Sequence, residues 1–215
     1  MLITELKPKT EFARKLKGKI LIIECHGCRE VHYPTKQVEE LIEELENSAE
    51  ANEANEVNIV DRIALDYLCN HEFAKIRTEK YKNKIDSSDI VLIFSCGVGV
   101  QVFSSYINKP VYPGCNTIHI DGYQGLNSTP GACDLCGDCL LYLTGGMCPI
   151  TACSKGLLNG PCGGAKNGKC EVTKEMDCGW EKIYNKLKSL NRIEKVIDKG
   201  IKLRDYKKKI PEIKK

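Results

Sequence analysis

Eight cysteines crowd the stretch from residue 133 to residue 178 with the spacing C-x2-C-x2-C-x8-C-x4-C-x8-C-x7-C-x7-C: Cys133, Cys136, Cys139, Cys148, Cys153, Cys162, Cys170 and Cys178. A thiolate is a soft donor suited to iron–sulfur clusters, and a four-iron cluster takes four of them. Eight therefore match two 4Fe-4S clusters and make electron transfer the chemistry to expect. Gly137, Gly145, Gly146, Gly156, Gly160, Gly163, Gly164 and Gly168 are interleaved with the cysteines. Glycine permits tight turns around a cluster and lets backbone N–H groups approach sulfur, which tunes the reduction potential.

Spacing leaves the grouping of the eight open. The compact front run, with Pro149 directly after Cys148, follows the bacterial ferredoxin pattern, in which the fourth cysteine of the run serves the other cluster. On that crossed pairing, the favoured one, Cys133, Cys136 and Cys139 share one cluster with a distant fourth ligand. Cys148 then joins three of Cys153, Cys162, Cys170 and Cys178. A sequential split, four and four, is the alternative. Zinc competes for the same ligands, since structural zinc also takes four thiolates and often uses CxxC half-sites. A zinc-stabilised scaffold or interaction subunit is thus the rival function. Zinc ribbons, however, usually show two separated CxxC pairs, whereas a CxxCxxC triplet followed by isolated cysteines suits a cubane better.

Five further cysteines lie at the ends of predicted strands. Cys25 and Cys28 (CHGC) follow KILIIE, Cys69 follows an alternating segment, Cys96 follows IVLIF and Cys115 follows a short run at 110–112. The carboxyl ends of parallel strands share one edge, where open α/β sheets bind ligands. Cys25, Cys28, Cys96 and Cys115 together read as a third metal site, for zinc or a further 4Fe-4S cluster. Cys69 alone reads as a small buried hydrophobe. His26 and His32 read as solvated loop histidines. Gly97-Val98-Gly99 at a helix start offers a weak phosphate cradle, as for a flavin, but Val102 stands where the dinucleotide fingerprint needs its third glycine.

The elements that must position these cysteines follow from periodicity. KILIIE (19–24) is a buried strand, and Pro34 and Thr35 open a helix with Val38, Leu41, Ile42 and Leu45 on one face. The odd-numbered apolar residues Val57, Ile59, Ile63, Leu65 and Tyr67 favour a strand with a break near Asp61. A helix over 72–85, a strand over 90–94 and a helix on GVGVQVFSSYI complete the alternation. The fold class is α/β: an open, mostly parallel sheet with flanking helices over 1–125, then a cysteine- and glycine-rich cluster domain over 126–215. That second domain is too poor in apolar runs to build a core of its own size, so metal must supply the constraint. It ends in an amphipathic helix carrying Trp180, Ile183, Tyr184, Leu187, Leu190 and Ile193, suited to packing the cluster segment onto a partner or onto the first domain. The basic tail that follows it, with Lys199, Lys202, Arg204, Lys207, Lys208, Lys209, Lys214 and Lys215, reads as a solvated end before a docking surface for an acidic partner.

Composition narrows the function. A net charge of +3 gives no case for nucleic acid. No apolar run reaches the roughly 18–20 residues of a membrane span, and the N-terminus lacks the pattern of a secretory signal, so the expected location is cytoplasmic. In a reducing cytoplasm thirteen cysteines point to metal or redox chemistry rather than disulfides. No P-loop, HExxH or catalytic triad appears, so no organic active site is expected in this chain.

The stretch ACDLCGDCLLYLTGGMCPITACSKGLLNGPCGGAKNGKCEVTKEMDCGWEKIYNKL resembles the methylenetetrahydrofolate reductase C-terminal family. With CHGC, DYLCN, SCGVGVQ and VYPGCNT upstream, the chain is similar over nearly all its length to the small iron–sulfur subunits of two-subunit reductases from acetogenic bacteria. The resemblance implies an electron-transfer subunit of an oxidoreductase complex in the reductive acetyl-CoA pathway. Its eight downstream cysteines would ligate the clusters. The expected partner is a barrel subunit that carries FMN and makes methyltetrahydrofolate, and the donor a ferredoxin or a further redox subunit.

Overall fold

A computed structural model describes residues 2–8, 10–11, 16–28, 31–51, 57–120, 133–194 and 200–209. The expected boundary between residues 125 and 126 lies outside the described residues, as do Lys199, Lys214 and Lys215 of the basic tail. The framework is a four-stranded parallel sheet built from β2 (Gly18–Cys25), β4 (Val57–Leu65), β5 (Ile90–Phe94) and β6 (Val111–Pro113), in the order β4-β2-β5-β6. Strand β2 is buried on both faces because its apolar residues run continuously. Leu21 and Ile23 enter one core with Leu65, Leu68, Val98 and Phe103, while Ile20 and Ile22 enter the other with Val38, Leu41 and Ile42. Helix α1 (Thr35–Ala51) covers the second face with the stripe its periodicity predicts.

The break expected near Asp61 is a bulge: Ile20 faces Ile59 but Leu21 faces Asp61, so Val60 is skipped. The helix expected over 72–85 is two, α2 (His71–Lys80) and α3 (Lys82–Ser87), parted at Tyr81. Asn70 caps α2 by accepting from the Phe73 N–H at 3.0 Å. Helix α4 (Gly97–Ser105) follows β5 as predicted. Among the described residues no helix is long and apolar enough to cross a membrane.

A second sheet was not predicted. Strand β1 (Leu2–Leu6) lies between β3 (Val31–His32), which it pairs in parallel, and β7 (Cys115–Ile120), which it pairs antiparallel. The two sheets are joined at Gly114, whose N–H donates to Ile93 O at 2.8 Å and whose carbonyl accepts from Lys7 N at 3.0 Å.

The cysteine-rich half grows out of this framework. Leu141 belongs to the first core, and Leu140, Tyr142 and Leu143 to the second. A short helix α5 (Pro149–Ala152) and the amphipathic α6 (Gly179–Ser189) follow. Helix α6 packs in both directions: the Trp180 Nε1–H donates to Leu157 O at 2.9 Å, and Ser189 Oγ donates to Asn108 Oδ1 at 3.0 Å. Beyond it Arg192, 7% exposed, donates to Tyr112 Oη and to Tyr142 O, both at 3.1 Å, and so ties β6 to the cysteine segment.

A methyl group at Gly114 would stand 2.3 Å from Cδ1 of the fully buried Phe94. Gly114→Ala is expected to lower the unfolding free energy by about 1–3 kcal/mol, the usual cost of overpacking. A urea denaturation midpoint equal to that of the parent would refute this.

Candidate functional site

The eight downstream cysteines sort into two cavities. Cys133, Cys136, Cys139 and Cys148 line one of about 400 Å³, counting space open to solvent, against Gly97, Gln101 and Thr117 of the sheet half. Three side chains from that half fix its walls. Asn116 Oδ1 accepts from Cys139 N at 3.0 Å, Gln101 Oε1 accepts from Cys148 N at 3.1 Å, and Thr117 Oγ1 accepts from Gly97 N at 2.8 Å. The tail returns over this cavity: Arg204 pairs with Asp134, and Lys208 lies 3.7 Å from Asp138. These contacts tie the described part of the tail to the cysteine segment, while most of its side chains stay exposed, as expected of a solvated end.

Cys153, Cys162, Cys170 and Cys178 line the other cavity, of about 340 Å³, with Ala152, Lys155 and Trp180. Its loop is closed by Cys178 N donating to Gly168 O at 2.7 Å and Cys170 N donating to Met176 O at 2.9 Å. Helix α6 starts so close to α5 that a Cβ on Gly179 would meet Ala152 O at 2.2 Å. The crossed grouping is thus not the one the fold brings together. Cys148 sits with the front three cysteines because Leu140–Thr144 turn back into the core and Gln101 takes up the Cys148 N–H.

Strand order decides the upstream set. A third cavity, of about 330 Å³, is lined by Cys25, Cys28, Cys69 and Cys96 together with Thr4, Tyr33, Ser95 and Gly99. Strands β4, β2 and β5 are neighbours, so the loops leaving them share one edge. Cys69 is buried in the first core, as expected of a small hydrophobe, and lines the cavity as well. Cys115 does not line it: it opens β7, pairs with Leu6 and is 1% exposed in the second core. The CHGC loop lies flat on the backbone of the β4 exit, for a Cβ on Gly27 would stand 2.2 Å from Tyr67 N. The His26 side chain is 44% exposed beside Glu24, while the His32 side chain lies outside the described residues.

The electrostatics follow the same grouping. Burial first, and then the charges of Cys96 and Cys25, push the Cys28 thiol up to about 12 and the Cys69 thiol up to about 11. Burial likewise raises Cys133 and Cys139 to about 12, with Cys148 adding to each. Lys7, only 3% exposed, opposes this at Cys139, and its Nζ stands 5.8 Å from the Tyr142 ring centroid. Cys170 moves the other way, held below the usual thiol range by the Ser154 hydroxyl and by backbone N–H groups.

One backbone pattern recurs at these sulfurs: the N–H two residues on points back at the thiol. Leu135 serves Cys133, Leu141 serves Cys139 and Val172 serves Cys170, while the Cys136 thiol donates to Asp138 O at 3.4 Å. Gly164 N approaches Cys162 Sγ at 3.4 Å, and Val98 serves Cys96, aided by Gly99. Such donors favour the ionised sulfur that a metal requires. The same contacts answer the phosphate-cradle reading of Gly97-Val98-Gly99, because its N–H groups are committed to Thr117 and Cys96. Among the described residues no three His, Cys, Asp or Glu side chains are drawn together as a single ion would need.

Sequence reasoning missed Lys7, Gln101, Asn116 and Thr117. The signal for Asn116 and Thr117 was their place directly after Cys115 at a strand end; Lys7 and Gln101 gave none.

Residues 112–207 match the model of a family described as "Methylene-tetrahydrofolate reductase C terminal", a span of 96 of 215 residues that holds all eight downstream cysteines. No curated protein and no solved structure matches the chain.

Asn116→Ala would leave the Cys139 N–H without its acceptor, at a cost of about 1–3 kcal/mol. The expected outcome is a lower thermal midpoint with the secondary structure retained. An unchanged midpoint would show that Asn116 does not brace this loop.

Proposed function

We propose that this chain is the electron-transfer subunit of a methylenetetrahydrofolate reductase complex. Cys133, Cys136, Cys139 and Cys148 would hold one 4Fe-4S cluster, and Cys153, Cys162, Cys170 and Cys178 a second. The observation that carries the reading is the sorting of the eight cysteines into two cavities of four within the segment matching the reductase family. The donor set fits: each cavity offers four thiols, the number a cubane takes, and backbone N–H groups directed at sulfur. Bound clusters would supply one-electron chemistry, while reduction of the folate falls to a flavin-bearing partner subunit. A ferredoxin or a further redox subunit would be the donor.

This chain's own residues set the conditions at each cavity. Lys7, ion-paired with Glu11 at 3.2 Å, turns its ammonium end toward the first, where it favours the ionised Cys139. At the second, the Ser154 hydroxyl lies 3.5 Å from Cys170 Sγ, and Lys155 pairs with Glu171 on the cavity wall. Ile201, Leu203 and Tyr206 stand exposed on the returning tail, where apolar surface suits a protein partner.

Anaerobically purified protein is expected to be brown, with broad absorbance near about 400 nm that dithionite bleaches, as for thiolate-ligated clusters. Cys162→Ala should lose about four irons per chain and slow reduction of the partner's flavin. A colourless, zinc-loaded protein would sink the proposal. Lys7→Met should make the first cluster's potential more negative, since removing a positive charge disfavours the added electron. A redox titration with no shift would remove Lys7 from that role.

A further inference from the structure

The geometry points to a third cluster site: Cys25, Cys28, Cys69 and Cys96 form the ligand set for a further 4Fe-4S cluster at the carboxyl edge of the parallel sheet. The set differs by one member from what sequence suggested, because Cys69 takes the place of Cys115. Three neighbouring strands, β4, β2 and β5, deliver the four thiols into one cavity. Two of them come from a single CHGC loop, and Gly27 lets that loop lie against Tyr67, where no Cβ would fit.

Two observations point to a bound group there. The Ser95 hydroxyl, on a residue 4% exposed, lines the cavity with the Cys96 sulfur as its polar neighbour and no other hydrogen-bond partner. It is held close: a Cβ on Gly99 would stand 2.3 Å from Ser95 Oγ. Cys96 is the N-cap of the nine-residue α4, and the first N–H groups of that helix point at its sulfur. A helix N-terminus favours an anion, and a thiolate-ligated cluster is one.

The choice of occupant rests on the proposed reading of those two cavities; a single zinc ion on the same four thiolates is the outcome that the metal count below would reveal. The position is also that of a neighbour to the first site. Cys96 lines the third cavity and the next residue, Gly97, lines the first, where its Cβ position lies 3.1 Å from Cys133 Sγ.

The test is a count of iron, acid-labile sulfide and zinc per full-length chain after anaerobic purification and reconstitution. The wild type is expected to carry roughly twelve irons, four for each of three sites. Cys69→Ala and Cys96→Ala should each fall to roughly eight, and Cys115→Ala should keep roughly twelve. A wild-type count of roughly eight irons overturns the inference, and so does a stoichiometric zinc that Cys69→Ala removes. Should a variant misfold and lose all its metal, the wild-type count still decides. Failure of the two-cavity reading looks different: iron would then survive replacement of both Cys139 and Cys162 by alanine.

Discussion

Burial of four consecutive side chains, Leu140 to Leu143, is the constraint on which the cysteine half depends. The cysteine-rich half buries only a small cluster of its own, Trp180, Ile183 and Leu187, yet these four reach both cores of the parallel sheet, Leu141 on one face and Leu140, Tyr142 and Leu143 on the other. At about 1.5–3 kcal/mol per buried apolar side chain, this is a large fraction of the stability of an ordinary domain. The run sits between Cys139 and Cys148, so the same burial that anchors the segment closes the loop carrying the first cavity's thiols. Arg192 reinforces the join from behind by bonding to Tyr112 of the sheet and to the Tyr142 carbonyl.

Once that segment is anchored, the sheet supplies what the cysteine loops lack. Gln101 on α4 and Asn116 on β7 accept N–H groups of the Cys148 and Cys139 loops, and Thr117 secures the start of α4. The cavities therefore depend on elements far away in sequence. It also explains why Cys115 lies apart from the other strand-end cysteines. It belongs to β7, whose pairing with β1 turns it into the second core, so the site at the sheet edge closes with Cys69 instead.

Much of this architecture was legible because it is periodic. The run Ile90–Phe94, the stripe Val38, Leu41, Ile42 and Leu45, and the alternation through Val57–Leu65 each specify one element, and the structure has all three. The gathering of cysteines at the sheet edge was legible in outline for a topological reason: parallel strands end together. What could not be read was where the chain goes after β6. All four strands are neighbours in the order β4-β2-β5-β6, but the chain leaving β6 turns at Gly114 straight into β7, which carries Cys115 away from the edge, and β1 and β7 are too mixed in composition to announce a second sheet. The crossed cysteine grouping failed for a related reason. Spacing within the run holds no information about Gln101, whose side chain draws the Cys148 loop toward the sheet.

The two downstream cavities differ in a way that bears on their roles. Burial dominates the first, where Cys133 and Cys139 are pushed up to about 12 and the compensating charge is the nearly inaccessible Lys7. Hydrogen bonding dominates the second, where Cys170 is pulled down by Ser154 and its neighbours while Cys162 is exposed. A low-dielectric site tunes what it holds through a few fixed charges, whereas a solvated one does so through donors at the sulfur. The first cavity, between the sheet edge and the returning tail, is thus the interior position. The second, around the exposed Cys162, meets solvent. The two follow one another along the chain from Cys148 to Cys153, and the cysteines at the sheet edge adjoin the first across the Cys96–Gly97 bond.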